Sequence, residues 1–418
     1  MVVNVPNPRS TNSQILMRKL YLVALCVIAP EIIFQAVLGQ WLSSHRSVKL
    51  FCEAGHPDWN MRHGFYADMG GFHLQCPDWK SFPVDAKQLH YLVVHKYVEY
   101  PQLQDSHIQD KNKVDGMLRL ITFIQALWFI ANVIGRASQG LAITVLELST
   151  SAFVIFSVAT AICWMRKPAD VQQPDYIITD KKITEILLEA GEPAAGVYYN
   201  TPLDFVSRRE WWWTILWAHG LNYLRKLHIA APPRKRPIGR FENTVFPCIG
   251  TLPYLLFVVL SLDYLGVFVA GWNFRFATRR ESVLWRAATL TALSSALGVA
   301  IFVASCFHWH SVLRRKLRSR STSFEEAGKE QPSITSGPAA IRKGRSRIST
   351  IAAYLKNNSV LKDPALDAPV EAILVTWFLG FFYISARAYI IVADFWALRS
   401  LPRSAYQDVS WSAIWPHI

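Results

Sequence analysis

Several charged side chains fall inside long apolar stretches of this chain, where burial of each is costly. Three are acids, Glu31, Glu147 and Asp263. A carboxylic acid in an apolar site holds its proton and can donate it, so these three are predicted catalytic acids. Glu147 is the first choice, because it lies about a third of the way into its stretch and a neutral acid there suits the opening of an epoxide.

The same stretches contain candidate substrate-binding residues, Arg119, Gln125 and Arg387. Each candidate also has a structural interpretation. Glu147 can bond to Arg119, Gln125 or Arg136 of the preceding stretch, and this role is favoured over catalysis. Arg387 can hold an anionic head group or neutralise one of the acids. A paired acid would stay ionised and lose its value as a proton donor, and the sequence does not identify the pair.

The distribution of apolar residues decides the class of protein. The chain has 418 residues, of which 51% are hydrophobic, and they are gathered into blocks from which charges are largely excluded. A helix of about 20 apolar residues matches the roughly 30 Å hydrocarbon core of a bilayer. These blocks predict an all-α, polytopic transmembrane helix bundle of six or seven spans joined by irregular polar loops.

The predicted organisation follows the blocks. It comprises a polar N-terminus (1–19), a first span (20–41), an aromatic and His-rich loop (42–116), a two-span hairpin (117–164), a polar region (165–245), two further spans (246–309), a basic disordered linker (310–368), a last span (369–393) and a tail (394–418). Within the polar region, the Trp-rich stretch 211–227 is either interfacial or a short seventh span. The orientation depends on that choice and stays open.

The net charge of +14 fits either nucleic acid or an anionic membrane surface. In a chain with so many apolar blocks, the membrane is favoured and a nucleic-acid partner is not expected. The loop 42–116 contains a set of metal-capable side chains, Cys52, His56, His63, His73 and Cys76, whose spacing fits no standard zinc pattern. No metal and no cofactor is predicted. Free thiols are favoured over a Cys52–Cys76 disulfide.

Several strings resemble a large, mostly uncharacterised family of fungal multi-pass membrane proteins. They include Ala29-Pro30-Glu31, the string His63 to Phe72, Gln125 to Phe129, Gly271 to Phe274 and Leu284-Trp285-Arg286. The resemblance implies a multi-span protein and little about activity. Many members carry a further apolar segment before the position of Asn4, so a span can be missing here.

A weaker resemblance is to the membrane-embedded cyclases of fungal meroterpenoid pathways, which isomerise an epoxidised prenyl chain without a metal. It implies an isomerase acting on a lipid-soluble substrate in the endoplasmic reticulum or another endomembrane. The alternatives are a transporter or channel, whose pathway the same acids would line, and a non-catalytic membrane scaffold or sensor. Membrane lipids are expected partners in every case.

Overall fold

Helices make up most of the part of the chain that the structure, a computed structural model, describes. The described residues are 3–8, 10–112, 116–232, 235–303, 305–306, 354–360 and 362–411. The chain divides into two compact units. Unit 1 comprises residues 1–211, 233–293 and 386–418, and unit 2 comprises residues 212–232 and 294–385. The predicted basic linker lies outside the described residues as far as position 353.

The elements are named here in chain order. The helices are α1 (Asn12–Ile28), α2 (Pro30–Glu53), α3 (Met61–Asp68), α4 (Ala86–Val94), α5 (Asp105–Asp110), α6 (Gly116–Ser138), α7 (Val145–Cys163), α8 (Ile183–Ala190), α9 (Asp204–Ser207), α10 (Trp212–Lys226), α11 (Thr251–Ala270), α12 (Arg279–Gly298) and α13 (Val370–Trp396). The strands are β1 (Phe72–Gln75), β2 (Phe82–Val84) and β3 (Asp175–Ile178).

Five of the described helices, α6, α7, α11, α12 and α13, are long and apolar enough to cross a membrane. Helices α1 and α2 form a bent pair, which adds a sixth crossing if the pair is one span. The surface of α6 carries exposed apolar side chains such as Leu118 and Ile134, as lipid contact requires. The Trp-rich helix α10 has 15 residues. That is about 22 Å, shorter than the roughly 30 Å core, so its length favours an interfacial position.

The polar regions before and after the α6–α7 hairpin form one small α/β domain, so the prediction of irregular loops is wrong there. Its sheet has the order β2-β1-β3. Strand β1 is antiparallel to β2, with Phe72 opposite Val84, and parallel to β3, with Phe72 opposite Asp175. Because β1 and β3 are hydrogen-bonded, both polar regions lie on the same side of any membrane that α6 and α7 cross.

Aromatic side chains fill the core of this domain. Phe51, at the end of α2, stacks on Trp59 with a centroid distance of 4.0 Å, and both side chains are buried. The Trp59 indole N–H donates to the Ser47 hydroxyl at 3.1 Å, which satisfies its buried donor. Helix α2 therefore contributes its last turns to the domain core and its first turns to the membrane bundle.

The string His63 to Phe72 is explained by close packing around its glycines. Gly70 has a φ of +83°, a left-handed backbone conformation that glycine adopts without strain. A Cβ added to Gly71 would lie 2.6 Å from the Tyr66 ring, and one added to Gly64 would lie 2.5 Å from the Ser44 hydroxyl. The string thus packs α3 against α2 and turns the chain into β1.

Unit 2 contains the Asn357-Asn358-Ser359 string, which matches a glycosylation acceptor. Asn357 is buried, and its amide donates to the Asp363 carbonyl and the Asp367 carboxylate, both at 2.7 Å. Asn358 donates to the carbonyl of His219 on α10 at 2.9 Å. A glycan on Asn357 is incompatible with these bonds.

Candidate functional site

The predicted first span, 20–41, is broken in the structure. Helix α1 ends at Ile28, α2 begins at Pro30, and the two axes are bent by 113°. Pro30 suits the first position of a helix, because it has no N–H to leave unpaired. The break leaves carbonyls at the end of α1 without their usual helical donors, and these carry the negative end of the helix dipole.

Arg387 of α13 binds those carbonyls. Its Nε donates to the Ile28 carbonyl at 3.3 Å, and Nη2 donates to the Val27 carbonyl at 3.5 Å. The side chain has an exposed fraction of 0% although it lies within a predicted span. Of all the candidate binding residues predicted from sequence, this one is placed most deeply inside the bundle of unit 1.

Aromatic rings surround the guanidinium of Arg387. Its central carbon lies 5.6 Å from the ring centroid of Phe153, 5.2 Å from Tyr264 and 4.9 Å from Phe268. Ring faces attract a cation, and the attraction grows where water is absent. This part of the bundle therefore stabilises positive charge.

Two carboxylates interact electrostatically with Arg387 or with the neighbouring Tyr264. Asp394, which is buried, follows Arg387 by two helical turns on α13, accepts a hydrogen bond from the Ser149 hydroxyl at 2.6 Å and interacts electrostatically with Arg387. Glu31 lies in the first turn of α2, immediately after the break, and acts electrostatically on Tyr264, as Arg387 does.

Gln35 follows Glu31 by one turn of α2 and so lies on the same side of the helix. Its exposed fraction is 0%, and within the described part of the chain neither atom of its amide has a hydrogen-bond partner. We name the group formed at the helix break the Arg387 cluster. Its members are Glu31, Gln35, Ser149, Tyr264, Arg387 and Asp394.

The first-choice acid, Glu147, lies outside this cluster, and its predicted depth in a span is wrong. Helix α7 begins at Val145, so Glu147 is in its first turn. Its carboxylate accepts from the Thr144 N–H at 2.8 Å in a capping box and lies 3.5 Å from Nε of Arg136. These contacts are those of the structural role that the sequence favoured, with Arg136 as the partner.

Exchange of Glu147 for glutamine is therefore expected to leave any activity unchanged. Glutamine keeps the capping box, and only the ion pair with Arg136 is lost, at a cost of about 1 kcal/mol or less. Glu147→Ala, which also removes the cap, should cost about 1–2 kcal/mol. Thermal unfolding in detergent, measured beside turnover, checks both values. A tenfold loss of turnover in a stable Glu147→Gln protein would restore Glu147 as a catalytic candidate.

The other predicted site residues are separated from one another. Asp263 is exposed on α11, although the neighbouring Tyr264 is buried in the cluster. Gln125 is exposed on α6. Arg119 holds the end of α7, because its guanidinium donates to the carbonyls of Trp164 at 3.1 Å and Lys167 at 2.9 Å. Cys52 and Cys76 are free thiols, as favoured from the sequence.

Four members of the cluster were missed by the sequence analysis: Gln35, Ser149, Tyr264 and Asp394. Asp394 is one residue beyond the predicted last span, where an acid is unremarkable. Its spacing of seven residues from Arg387 was the available signal, because positions i and i+7 share a helix face. Gln35 carries no charge and gave no comparable signal.

Comparison with known proteins gives a partial match to one family and no activity. Residues 1–189 match a family described as Family of unknown function (DUF8562). This range covers α1 to α7, β1 to β3 and most of α8, and so includes Glu31, Gln35 and Ser149 of the cluster. No functionally curated protein and no solved structure matches the chain. The chain is thus similar to an uncharacterised family, and its apolar helices are those of an integral membrane protein.

Proposed function

We propose that this protein is a membrane-embedded isomerase or cyclase that donates a proton to a lipid-soluble substrate at the Arg387 cluster. The observation that carries the proposal is the position of two acids at the helix break. Asp394 is buried and interacts electrostatically with Arg387, and Glu31 lies in the first turn of α2 directly after the break. A carboxyl group in an apolar bundle can hold a proton and donate it, and the proposal assigns that role to one of these two acids.

The surroundings of the proton suit an electrophilic reaction. One carboxylate neutralises Arg387 and the other supplies the proton, while the faces of Phe153, Tyr264 and Phe268 favour positive charge. The resemblance to fungal multi-pass proteins and to meroterpenoid cyclases makes an epoxidised prenyl chain the specific substrate. The proposal places the enzyme in an endomembrane such as the endoplasmic reticulum, with membrane lipids as its partners and no nucleic acid, metal or cofactor.

Asp394→Asn and Glu31→Gln are each expected to slow conversion of epoxidised prenyl substrates by about 100-fold or more, since general acids contribute about 10² to 10⁴. Microsomes carrying the wild type or a variant are incubated with substrate, and products are separated by chromatography. Asp263→Asn is the matched control, because it removes an acid from a membrane helix outside the cluster. Equal turnover in wild type, Asp394→Asn and Glu31→Gln would overturn the proposal.

A transporter is the second candidate, and the broken helix favours it. Discontinuous membrane helices with a buried charge at the break bind substrates and coupling ions in many transporters. The α1–α2 break has this form, with Arg387 at the end of α1 and Glu31 at the start of α2. Uptake into reconstituted vesicles that is lost on Asp394→Asn, without any chemical conversion, would establish transport instead.

A further inference from the structure

Basic side chains converge at the end of α10, in unit 2 and outside the Arg387 cluster. Residues 354–360 pack there against the helix. The Asn358 amide donates to the His219 carbonyl at 2.9 Å, and its side-chain oxygen accepts from the Asn222 amide at 3.1 Å. All three residues are buried, so this pairing fixes the position of the segment on α10.

Two lysines meet at one aromatic ring in this region. The Nζ of Lys226, the last residue of α10, lies 3.9 Å from the ring centroid of Tyr354, and the Nζ of Lys362 lies 5.1 Å from the same centroid. Both lysine side chains are exposed, and the charge of Lys362 repels that of Lys226. Two ammonium groups are therefore held together in spite of their repulsion.

A hydrogen-bonded loop holds Lys362 in this position. Its Nζ donates to the carbonyl of Asn357 at 2.6 Å, and the Asn357 side-chain oxygen accepts from the Ser359 hydroxyl at 2.6 Å. The φ of Lys362 is +51°, a left-handed conformation that is unfavourable for a residue with a side chain. Such strain persists where the surroundings impose it, and it is common at ligand sites.

The acids of this loop are engaged elsewhere. Asp367 pairs with Lys356 at 3.0 Å, and the buried Asp363 accepts from the Ala365 N–H at 3.0 Å. Among the residues that the structure describes, no carboxylate forms an ion pair with either of the two ammonium groups at the Tyr354 ring. An anion from outside the chain would compensate both.

The two lysines lie close to the membrane surface. Lys362 comes a few residues before α13, a candidate span that begins at Val370, and the length of α10 favours an interfacial position. Apolar side chains beside the lysines are largely exposed, namely Leu227 and Val360. Exposed apolar side chains next to basic ones are typical of a surface that enters the lipid headgroup layer.

We propose that Lys226 and Lys362 bind the phosphate monoester headgroup of an anionic lipid such as phosphatidic acid. A phosphate monoester carries a charge of roughly −1.5 to −2 near pH 7, which matches two ammonium groups, whereas a diester carries one negative charge. Each Nζ donates a charge-assisted hydrogen bond to a phosphate oxygen. Leu227 and Val360 contact the adjoining acyl chains. This site is independent of the reaction proposed for the Arg387 cluster.

The test is lysine acetylation of the wild-type full chain in nanodiscs. The discs contain phosphatidylcholine alone, or phosphatidylcholine with phosphatidic acid or phosphatidylglycerol at equal mole fractions. Sulfosuccinimidyl acetate is added, and the acetylated lysines are mapped by peptide mass spectrometry. We expect phosphatidic acid to slow acetylation of Lys226 and Lys362 by about fivefold or more. The control is Lys49, which is 80% exposed and lies outside unit 2, and its acetylation should be unchanged.

The lipid arms separate the sources of the anion. Phosphatidylglycerol, a diester, should protect Lys226 and Lys362 less than phosphatidic acid does. Inorganic phosphate added to discs of phosphatidylcholine alone should give no protection. Equal protection by phosphatidylglycerol would overturn the choice of a monoester, and equal protection by inorganic phosphate would overturn the choice of a lipid. Acetylation that phosphatidic acid does not slow at either lysine overturns the site itself.

Single variants test whether the two lysines act together. In Lys226→Ala, phosphatidic acid should lose most of its protection of Lys362, and Lys362→Ala should have the converse effect on Lys226. Lys226→Arg keeps the charge and should retain the protection of Lys362. Lys49→Ala removes one positive charge elsewhere and should change neither. Full protection of Lys362 in Lys226→Ala, or an equal loss in Lys49→Ala, would contradict a shared site.

Discussion

Exchange of Arg387 for methionine is expected to destabilise the protein by about 3–5 kcal/mol, the usual cost when one member of a buried charge pair is removed. Methionine keeps most of the volume but leaves Asp394 and Glu31 without their cation and the carbonyls of Val27 and Ile28 without their donor. The unfolding midpoint is measured by fluorescence-detected gel filtration after heating in detergent. A shift no larger than that of a surface variant would contradict the buried role of Arg387.

Two further variants give this prediction its controls. Arg399→Ala removes an arginine just beyond the same helix, where the side chain is 40% exposed and pairs with Glu281, and should cost about 1 kcal/mol or less. The double variant Arg387→Met with Asp394→Asn removes a negative charge together with the positive one. It should recover part of the lost stability, and that coupling would identify Asp394 as a partner of Arg387.

Exchange of Arg136 for alanine is expected to release the C-terminal tail. The Arg136 guanidinium donates to the carbonyls of Ser404 at 3.1 Å and Gln407 at 2.8 Å, and the side chain is almost fully buried. A hydrogen bond to a charged group contributes about 1.5–3 kcal/mol. If the free energy that keeps the tail docked falls by about 3 kcal/mol, the rate of trypsin cleavage after Arg403 should rise by about 100-fold.

The matched control for the tail is Gln139→Ala. Gln139 also binds the tail, through two hydrogen bonds to the backbone of Ser410, but it is uncharged and these bonds are exposed to solvent. Its loss should accelerate cleavage by about tenfold at most. Mass spectrometry of the fragments over time separates the two variants. Cleavage at Arg403 that is equally slow in wild type and Arg136→Ala would show that the tail does not depend on this arginine.

The membrane helices were the most predictable part of the fold. The predicted hairpin 117–164 corresponds to α6 and α7, because long apolar runs without charges have few alternatives to a spanning helix. The start of α7 was predicted less accurately. Thr144 and Glu147 form a capping box that marks it, but the apolar residues before Thr144 concealed this boundary.

The α/β domain was not predicted, because its order comes from contacts between distant residues. The sheet strands have only three or four residues, and β1 pairs with a strand about 100 residues later. The aromatic residues of the first polar region could be listed, but their burial against one another could not. The domain was therefore mistaken for loops.

The candidate site was only partly predictable, because it also depends on contacts between distant residues. The sequence identifies charges in apolar helices, and two of those that it selected, Arg387 and Glu31, lie at the same helix break. It does not identify the face of each helix. Asp263 and Tyr264 are adjacent, yet a rotation of about 100° per residue places one outside and the other in the cluster. Which face of a helix is buried depends on how the helices pack together, and the sequence of one helix does not determine that.

The parallel pairing of β1 with β3 has a consequence for synthesis at the ribosome. When Phe72 emerges, its partner Asp175 has not been translated, and the α6–α7 hairpin lies between them. The translocon must accept both apolar helices before the second polar region can return to meet the first. Until then the apolar residues of β1 are exposed to solvent without their partner strand. A chaperone would be required during this interval.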